Sequence, residues 1–311
     1  MTVAVLFPGQ GSQFVGMGAE LFESRPDLLG APADDILGWS LRELCLEGPE
    51  DSLTRTEHAQ VALFAVSYAL WEEFRKTYSG AISGAAGHSL GEYTALTAGA
   101  ALTYPEGLRV VASRGQAMAD AADLEPSGMA ALIGADARLA EEMAARSRDQ
   151  GGRLEVANIN APGQVVVAGS AADIEWVSEN SRDLGVKRVI PLKVAGAFHS
   201  GFMDPAADDV GEALAGVVFS EPEFPVWSNT TARPHDVSQM AATLRSQVVS
   251  PVKFEESLRD MSAAGVDTFV HVGPGDVTAG MAKRSVDGAT VHVVSEVADI
   301  PVVADALVTV T

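Results

Sequence analysis

Ser89 sits in the pentapeptide Gly87-His88-Ser89-Leu90-Gly91. A G-x-S-x-G run can place a serine on a sharp strand-to-helix turn. The hydroxyl then stands clear of the backbone, and the next amide, here that of Leu90, points at any oxyanion that forms. The flanking glycines relieve the crowding of such a bend. The chemistry on offer is nucleophilic attack on an acyl carbonyl. A plainer role is open to the same residue, as the N-cap of a helix. Residues 90–100 are rich in Ala and Leu and predict a helix after the motif. The strand required before it is less evident, because residues 81–86 (AISGAA) are small and poor in β-branched side chains. A second candidate is Gln10, in Gly9-Gln10-Gly11-Ser12-Gln13, which follows an apolar run at residues 3–7. This reads as a first strand entering a Gly-rich loop. It has neither phosphate-cradling spacing, G-x-x-x-x-G-K-[ST] or G-x-G-x-x-G. A glutamine loop can instead donate to a carbonyl or oxyanion without adding charge, or can be a plain turn.

A serine nucleophile needs a base. The six histidines are His58, His88, His199, His235, His271 and His292. The His88 side chain diverges from that of Ser89 on an elbow, His58 heads a predicted helix, His235 is placed in a polar turn and His292 within a strand. His199 falls where the chain re-enters the predicted cleft. His271 lies at a strand end before Gly273-Pro274-Gly275, so these two remain as candidates. No aspartate stands out as a third member. The histidines are scattered, with no H-x-x-x-H pair or Cys/His cluster, so no metal site is predicted.

The elements that must position these groups alternate. Residues 128–193 read as β-α-β-β-α-β, with strands at 129–133, 154–157, 165–168 and 186–194 and helices at 136–150 and 171–184. That is a ferredoxin-like unit. Around it lie helical stretches at about 58–78, 104–122, 204–215 and 254–264, and strands at 268–272 and 290–294. Such alternation implies a largely parallel sheet covered by helices. The predicted architecture is α/β: a large α/β hydrolase-like domain at 1–126 and 196–311, with a small ferredoxin-like domain inserted at 127–195. The cleft between them is the expected ligand site.

Composition bounds the rest. The chain has 311 residues, is 47% hydrophobic and carries a net charge of −21. That charge argues against nucleic acid and anionic membranes as partners. No apolar run has the length of a membrane span, and no secretory signal is visible. The one cysteine, Cys45, has no internal disulfide partner and reads as a small buried apolar side chain. These features predict a cytoplasmic enzyme, with a monomer as the default.

GQGSQ near the N-terminus, with GHSLGE about eighty residues on, resembles the malonyl-CoA:acyl carrier protein transacylase family, which includes the acyltransferase domains of polyketide synthases. Arg114 in SRGQAM, the segment Asn158-Ile159-Asn160-Ala161-Pro162-Gly163-Gln164, Gly196-Ala197-Phe198-His199-Ser200 and Gln247 in SQVVSPVKF extend the likeness through most of the chain. The resemblance implies a Ser89–His199 dyad, with the imidazole oriented by a main-chain carbonyl near Gln247. It implies an oxyanion hole from the Leu90 amide and the Gln10 loop. Asn160, Gln247, Met118 and Phe198 would lie at the substrate. Arg114, which sequence alone reads as a surface residue near a helix end, would grip the carboxylate of malonyl. The GAFH form resembles malonyl-selective domains, Phe198 excluding a methyl branch.

The implied reaction is ping-pong transfer of malonyl from coenzyme A to the phosphopantetheine thiol of an acyl carrier protein, in fatty acid or polyketide synthesis. The enzyme would act in trans, with no tightly bound cofactor. Carrier proteins are acidic, so docking calls for a local basic patch, with Arg182, Lys187, Arg188, Lys283 and Arg284 as candidates. One departure is Asp276, where the family commonly has lysine. Three other readings compete: a transacylase for a different extender unit, a hydrolase clearing acyl groups from carrier proteins, and a non-catalytic carrier-binding module. Arg114 argues against the hydrolase, since uncharged acyl chains gain nothing from a carboxylate clamp. Ser89, His199 and Gln10 together argue against the binding module.

Overall fold

The computed structural model describes residues 1–181 and 185–309. Its strands are β1 Val3–Phe7, β2 Gly84–Gly87, β3 Ser127–Ile133, β4 Glu155–Ala161, β5 Gln164–Ser170, β6 Arg188–Pro191, β7 Val226–Trp227, β8 Thr268–Val272 and β9 Thr290–Val294. They form two sheets. The larger has the order β7-β2-β1-β8-β9, and every described pairing in it is parallel. The smaller has the order β4-β5-β3-β6 and is antiparallel throughout. With the helices Ala137–Asp149 and Ala171–Asn180 it makes the β-α-β-β-α-β unit expected from the sequence. None of the described helices is long and apolar enough to cross a membrane.

β1 shows why the large sheet sits where it does. Its five residues are all buried. Val3, Val5 and Phe7 enter one core cluster while Ala4 and Leu6 enter another. Successive side chains point to opposite faces, so a central parallel strand packed on both sides must be apolar throughout. β2 obeys a different constraint. A Cβ on Gly87 would overlap the backbone of Gly91, and one on Gly84 would meet the Trp227 ring at 2.5 Å. The strand is small because its neighbours press on it, which is why its sequence lacks the usual strand signature.

The long helices Thr56–Thr77 and Tyr104–Leu124 pack into the larger core, on Leu63, Leu70, Leu108 and Val111 among others. The second starts on a capping box, Thr103 with Glu106, and has Pro105 in its first turn, a common helix opening. The smaller sheet is tied to the rest of the fold by a short parallel pairing of β4 with Val252, which lies outside the strands. Ile159 N donates to Val252 O (2.8 Å), and Val252 N donates to Ala157 O (2.9 Å).

Several boundaries moved. β4 and β5 run to the Pro162-Gly163 turn and are longer than expected, while β6 is shorter. Five short helices between Ala19 and Leu53, the helix Met240–Gln247 and β7 had no sequence prediction. These are segments of one or two turns, too short for a periodic pattern to show. The predicted helix at 171–184 ends at Asn180 among the described residues, and its last positions, Arg182 included, lie outside them.

Asp173 anchors the smaller unit. It is 4% exposed and accepts from Ser170 N, Ser170 Oγ, Ser147 Oγ and Arg153 N. Burial would push its carboxyl up. The bonds from Ser170, Ser147 and the Arg153 amide outweigh that and hold it below the usual range. A depressed carboxyl stabilises the fold above its unfolded value near pH 4, and the contribution is lost as pH falls through the folded value. Asp173→Ala is therefore expected to cost about 2–3 kcal/mol at pH 7. Urea unfolding of both proteins at pH 7 and pH 3 checks this, with the gap narrowing at the lower pH.

Candidate active site

β2 ends at Gly87, and a helix starts at Gly91. Ser89 lies between them with φ 51°, in the left-handed region that non-glycine residues seldom occupy. The elbow is tied down by Asn229. Ser89 N donates to Asn229 Oδ1 (2.7 Å), and Asn229 Nδ2 donates to Gly87 O (2.7 Å). The strain is thus held by bonds on both sides of the turn, as strained functional residues require.

Ser89 Oγ lies 2.8 Å from His199 Nε2. His199 Nδ1 is 2.9 Å from the main-chain oxygen of Gln247. A carbonyl only accepts, so Nδ1 carries the proton, and Nε2 is left to accept from the serine hydroxyl. The imidazole and the serine hydroxyl are thus aligned as a base and a nucleophile would need to be, without a carboxylate on the imidazole. His199 also has a left-handed backbone, φ 59°, and is buried. Burial, reinforced by the nearby charge of Arg114, pushes its pKa down to about 3. His271, the rival base, is 0% exposed and spent elsewhere, on Thr278 Oγ1 (2.5 Å) and Gly273 O (3.0 Å).

A cavity of about 610 Å³ opens over the serine, with Gln10, Leu90, Arg114, Met118, Asn160 and Phe198 among its lining residues. Among the described residues, no hydrogen bond within the fold uses the main-chain amide of Gln10 or Leu90, so both are available to an oxyanion, whereas the Gln10 side chain donates to Thr56 Oγ1 at 3.4 Å. Asn160 also holds the elbow's neighbour, accepting from His88 Nε2 at 2.7 Å. Burial lowers the pKa of His88. Met118 Sδ accepts from Gln60 Nε2 at 3.5 Å.

Arg114 is only 1% exposed, not the surface arginine that its helical position suggested. It donates through Nη1 to Gln60 Oε1 (2.5 Å) and through Nη2 to Ser89 Oγ (3.0 Å) and Gln247 Oε1 (2.9 Å). Its guanidinium lies 5.5 Å from the Tyr93 ring centre. Without a substrate carboxylate, neutral amide oxygens already answer Nη1 and Nη2, while Nε is buried with no partner among the described residues. The expected place of Gln247 at the substrate is corrected. Gln247 does not line the cavity. Its amide is spent on Arg114, on Ser89 O (2.9 Å) and on Glu92 Oε2 (2.6 Å), so its place is behind the reacting groups.

Gln60, Glu92 and Asn229 were not singled out from the sequence, and His235 was set aside. Glu92 Oε2 also accepts from Asn229 N (3.0 Å), and Glu92 Oε1 from His235 Nε2 (2.6 Å). His235 does lie in an irregular polar segment, as expected, but its side chain is turned inward and is 1% exposed. Gln60 had a readable signal, as a lone amide inside the apolar run Ala59-Gln60-Val61-Ala62-Leu63. Asn229 had none. Of the basic candidates, Lys187, Arg188 and Lys283 are exposed, and Arg284 reaches across to Gln164 Oε1. Burial pushes the Cys45 thiol up to about 12, consistent with an inert core residue.

With this geometry in hand, comparison with known proteins is decisive. The family model described as the acyl transferase domain matches residues 5–304. The chain belongs to the acyl transferase family. A malonyl CoA-acyl carrier protein transacylase of Bacillus subtilis (strain 168) is 41% identical over 289 residues, covering 91% of this chain and 90% of that protein. This acyl transferase also superposes on an acyl carrier protein S-malonyltransferase of Vibrio cholerae, with a TM-score of 0.91 and 35% identity over 97% of this chain and 100% of that one. A malonyl-transacylase solved in complex with its holo type II polyketide synthase acyl-carrier protein gives a TM-score of 0.91 and 34% identity, over 98% and 100% of the two chains.

The low pKa of His199 makes a pH prediction. A base already neutral needs no deprotonation at ordinary pH. Phosphonylation of Ser89 by an uncharged fluorophosphonate should keep a flat rate from pH 8 to pH 5 and fall only towards pH 3. A break near pH 6.5 in the rate profile would mean that the imidazole titrates as if solvated.

Proposed function

We propose that this protein transfers a malonyl group from coenzyme A to the phosphopantetheine thiol of an acyl carrier protein, through an ester on Ser89. The observation that carries the reading is the position of Arg114. A buried guanidinium stands 3.0 Å from the nucleophilic oxygen inside the cavity. An acyl group attached there brings a carboxylate on its next carbon into reach of that cation. A carboxylate is a stronger acceptor than the neutral oxygens with which it would share Arg114, and the paired guanidinium nitrogens suit its two oxygens.

In the first half-reaction Ser89 Oγ attacks the thioester carbonyl while His199 Nε2 takes its proton. The Leu90 and Gln10 amides hold the oxyanion. Collapse expels the coenzyme A sulfur, which receives the proton from His199. In the second half the pantetheine thiol gives its proton to His199 and attacks the serine ester, and Ser89 recovers the proton as it leaves. Coenzyme A is thus a substrate and not a resident cofactor. Phe198 beside the acyl group disfavours a methyl branch, although one methyl group is worth only about 1–3 kcal/mol in a pocket. The names of the similar proteins agree with this substrate pair.

Intact-protein mass spectrometry tests the proposal, with malonyl-, methylmalonyl- and acetyl-CoA in competition and holo carrier protein added second. A malonyl adduct should form, be absent in Ser89→Ala, and move to the carrier. Release of free acid with no gain on the carrier would instead identify a hydrolase. Arg114→Ala should lose about 2–4 kcal/mol of malonyl selectivity, roughly 30- to 1000-fold in kcat/KM, with acetyl loading little reduced.

A further inference from the structure

Glu92 lies in the first turn of the helix that follows the elbow and is 0% exposed. An acidic side chain at a helix start is ordinary when it faces water. Complete burial is not, since a carboxylate removed from water must have its lone pairs answered by donors. Glu92 has three such donors: His235 Nε2 at 2.6 Å, Gln247 Nε2 at 2.6 Å and Asn229 N at 3.0 Å. It does not line the cavity. Its donors nevertheless lead to every reacting group.

We propose that Glu92 is a positioning residue for acyl transfer, a buried carboxylate that fixes Ser89, His199 and Arg114 through Asn229 and Gln247. The Gln247 amide could sit either way up. Arg114 Nη2 needs an acceptor on one side, whereas Glu92 Oε2 and Ser89 O need a donor on the other. Glu92 thus sets which end of the amide faces Arg114. The main-chain oxygen of the same residue holds His199 Nδ1. On the second arm, Glu92 holds the Asn229 backbone, whose side chain brackets the elbow at Ser89 N and Gly87 O. His235 closes the free oxygen of the carboxylate from water. The acid absent from the imidazole is therefore present one residue further back, acting on the whole constellation.

The proposal rests on the acyl-transfer reading, so its test uses two readouts. The first is kcat for malonyl transfer to a holo carrier protein, per folded molecule. The second is the phosphonylation rate of Ser89 by an uncharged fluorophosphonate, which needs neither malonyl nor carrier. Glu92→Leu keeps the approximate volume and removes the acceptor. It should lower both rates by about 100-fold, the scale of a misplaced catalytic group. Glu92→Gln keeps one oxygen for Asn229 N and Gln247 Nε2 and turns its amide to His235. It should recover both rates to within several-fold of the parent protein.

If Glu92→Leu does not fold, Glu92→Asp, which withdraws the carboxylate by one C–C bond, is read in its place. Parent rates in folded Glu92→Leu or Glu92→Asp would overturn the proposal. So would Glu92→Gln doing no better than Glu92→Leu. Failure of the parent protein to react at Ser89 would sink the acyl-transfer reading instead.

Discussion

The site depends on a contact that only glycine permits. A Cβ on Gly91 would overlap Phe7 O, and one on Gly87 would overlap the Gly91 backbone. With no side chain at either position, the helix after the elbow settles against the ends of β1 and β2. That approach puts Ser89 at the carboxyl edge of the parallel sheet, where loops from several strands converge. The Gln10 loop leaves β1 beside it, and Asn229 follows β7. Remove the close approach and the donors to the oxyanion, the serine and its brace all move together.

The resting site is already largely bonded, Arg114 Nε being a buried exception. Ser89 Oγ has both His199 and Arg114 as partners, and Arg114 has two neutral amides besides. On the proposed reading, substrate enters by exchanging hydrogen bonds rather than by answering a bare charge. The discrimination proposed for Arg114 is then the difference between an ionised acceptor and neutral ones. That difference is smaller than the cost of an unpaired buried cation, and more finely tunable.

Much of this was legible in the chain. The periodic helices, the apolar strands and the β-α-β-β-α-β unit all carried their pattern in adjacent residues. Ser89 and Gln10 were marked by glycines, and Gln10, Leu90, Met118, Phe198 and Asn160 do line the cavity. β2 was obscured because tight packing had stripped it of strand-forming residues. His235 was misjudged because a local polar stretch says nothing about a carboxylate 143 positions away. Asn229 and the side chain of Gln247 act through partners distant in sequence, and hydrogen-bond partners leave no periodicity to read. Arg114 shows the same limit, since its burial depends on which face of its helix meets Gln60 and the elbow.

The joint that ties the smaller sheet to the rest of the fold bears on how the cleft is held. β4 is held to the segment after the helix Met240–Gln247 by a pair of main-chain bonds at Val252, and Asn160 near its end accepts from His88 Nε2. The bonds at Val252 are backbone bonds, independent of side-chain identity, and they tie the small sheet down beside the elbow. On the proposed reading, a change of acyl preference then falls to the cavity walls, at positions such as Met118 and Phe198.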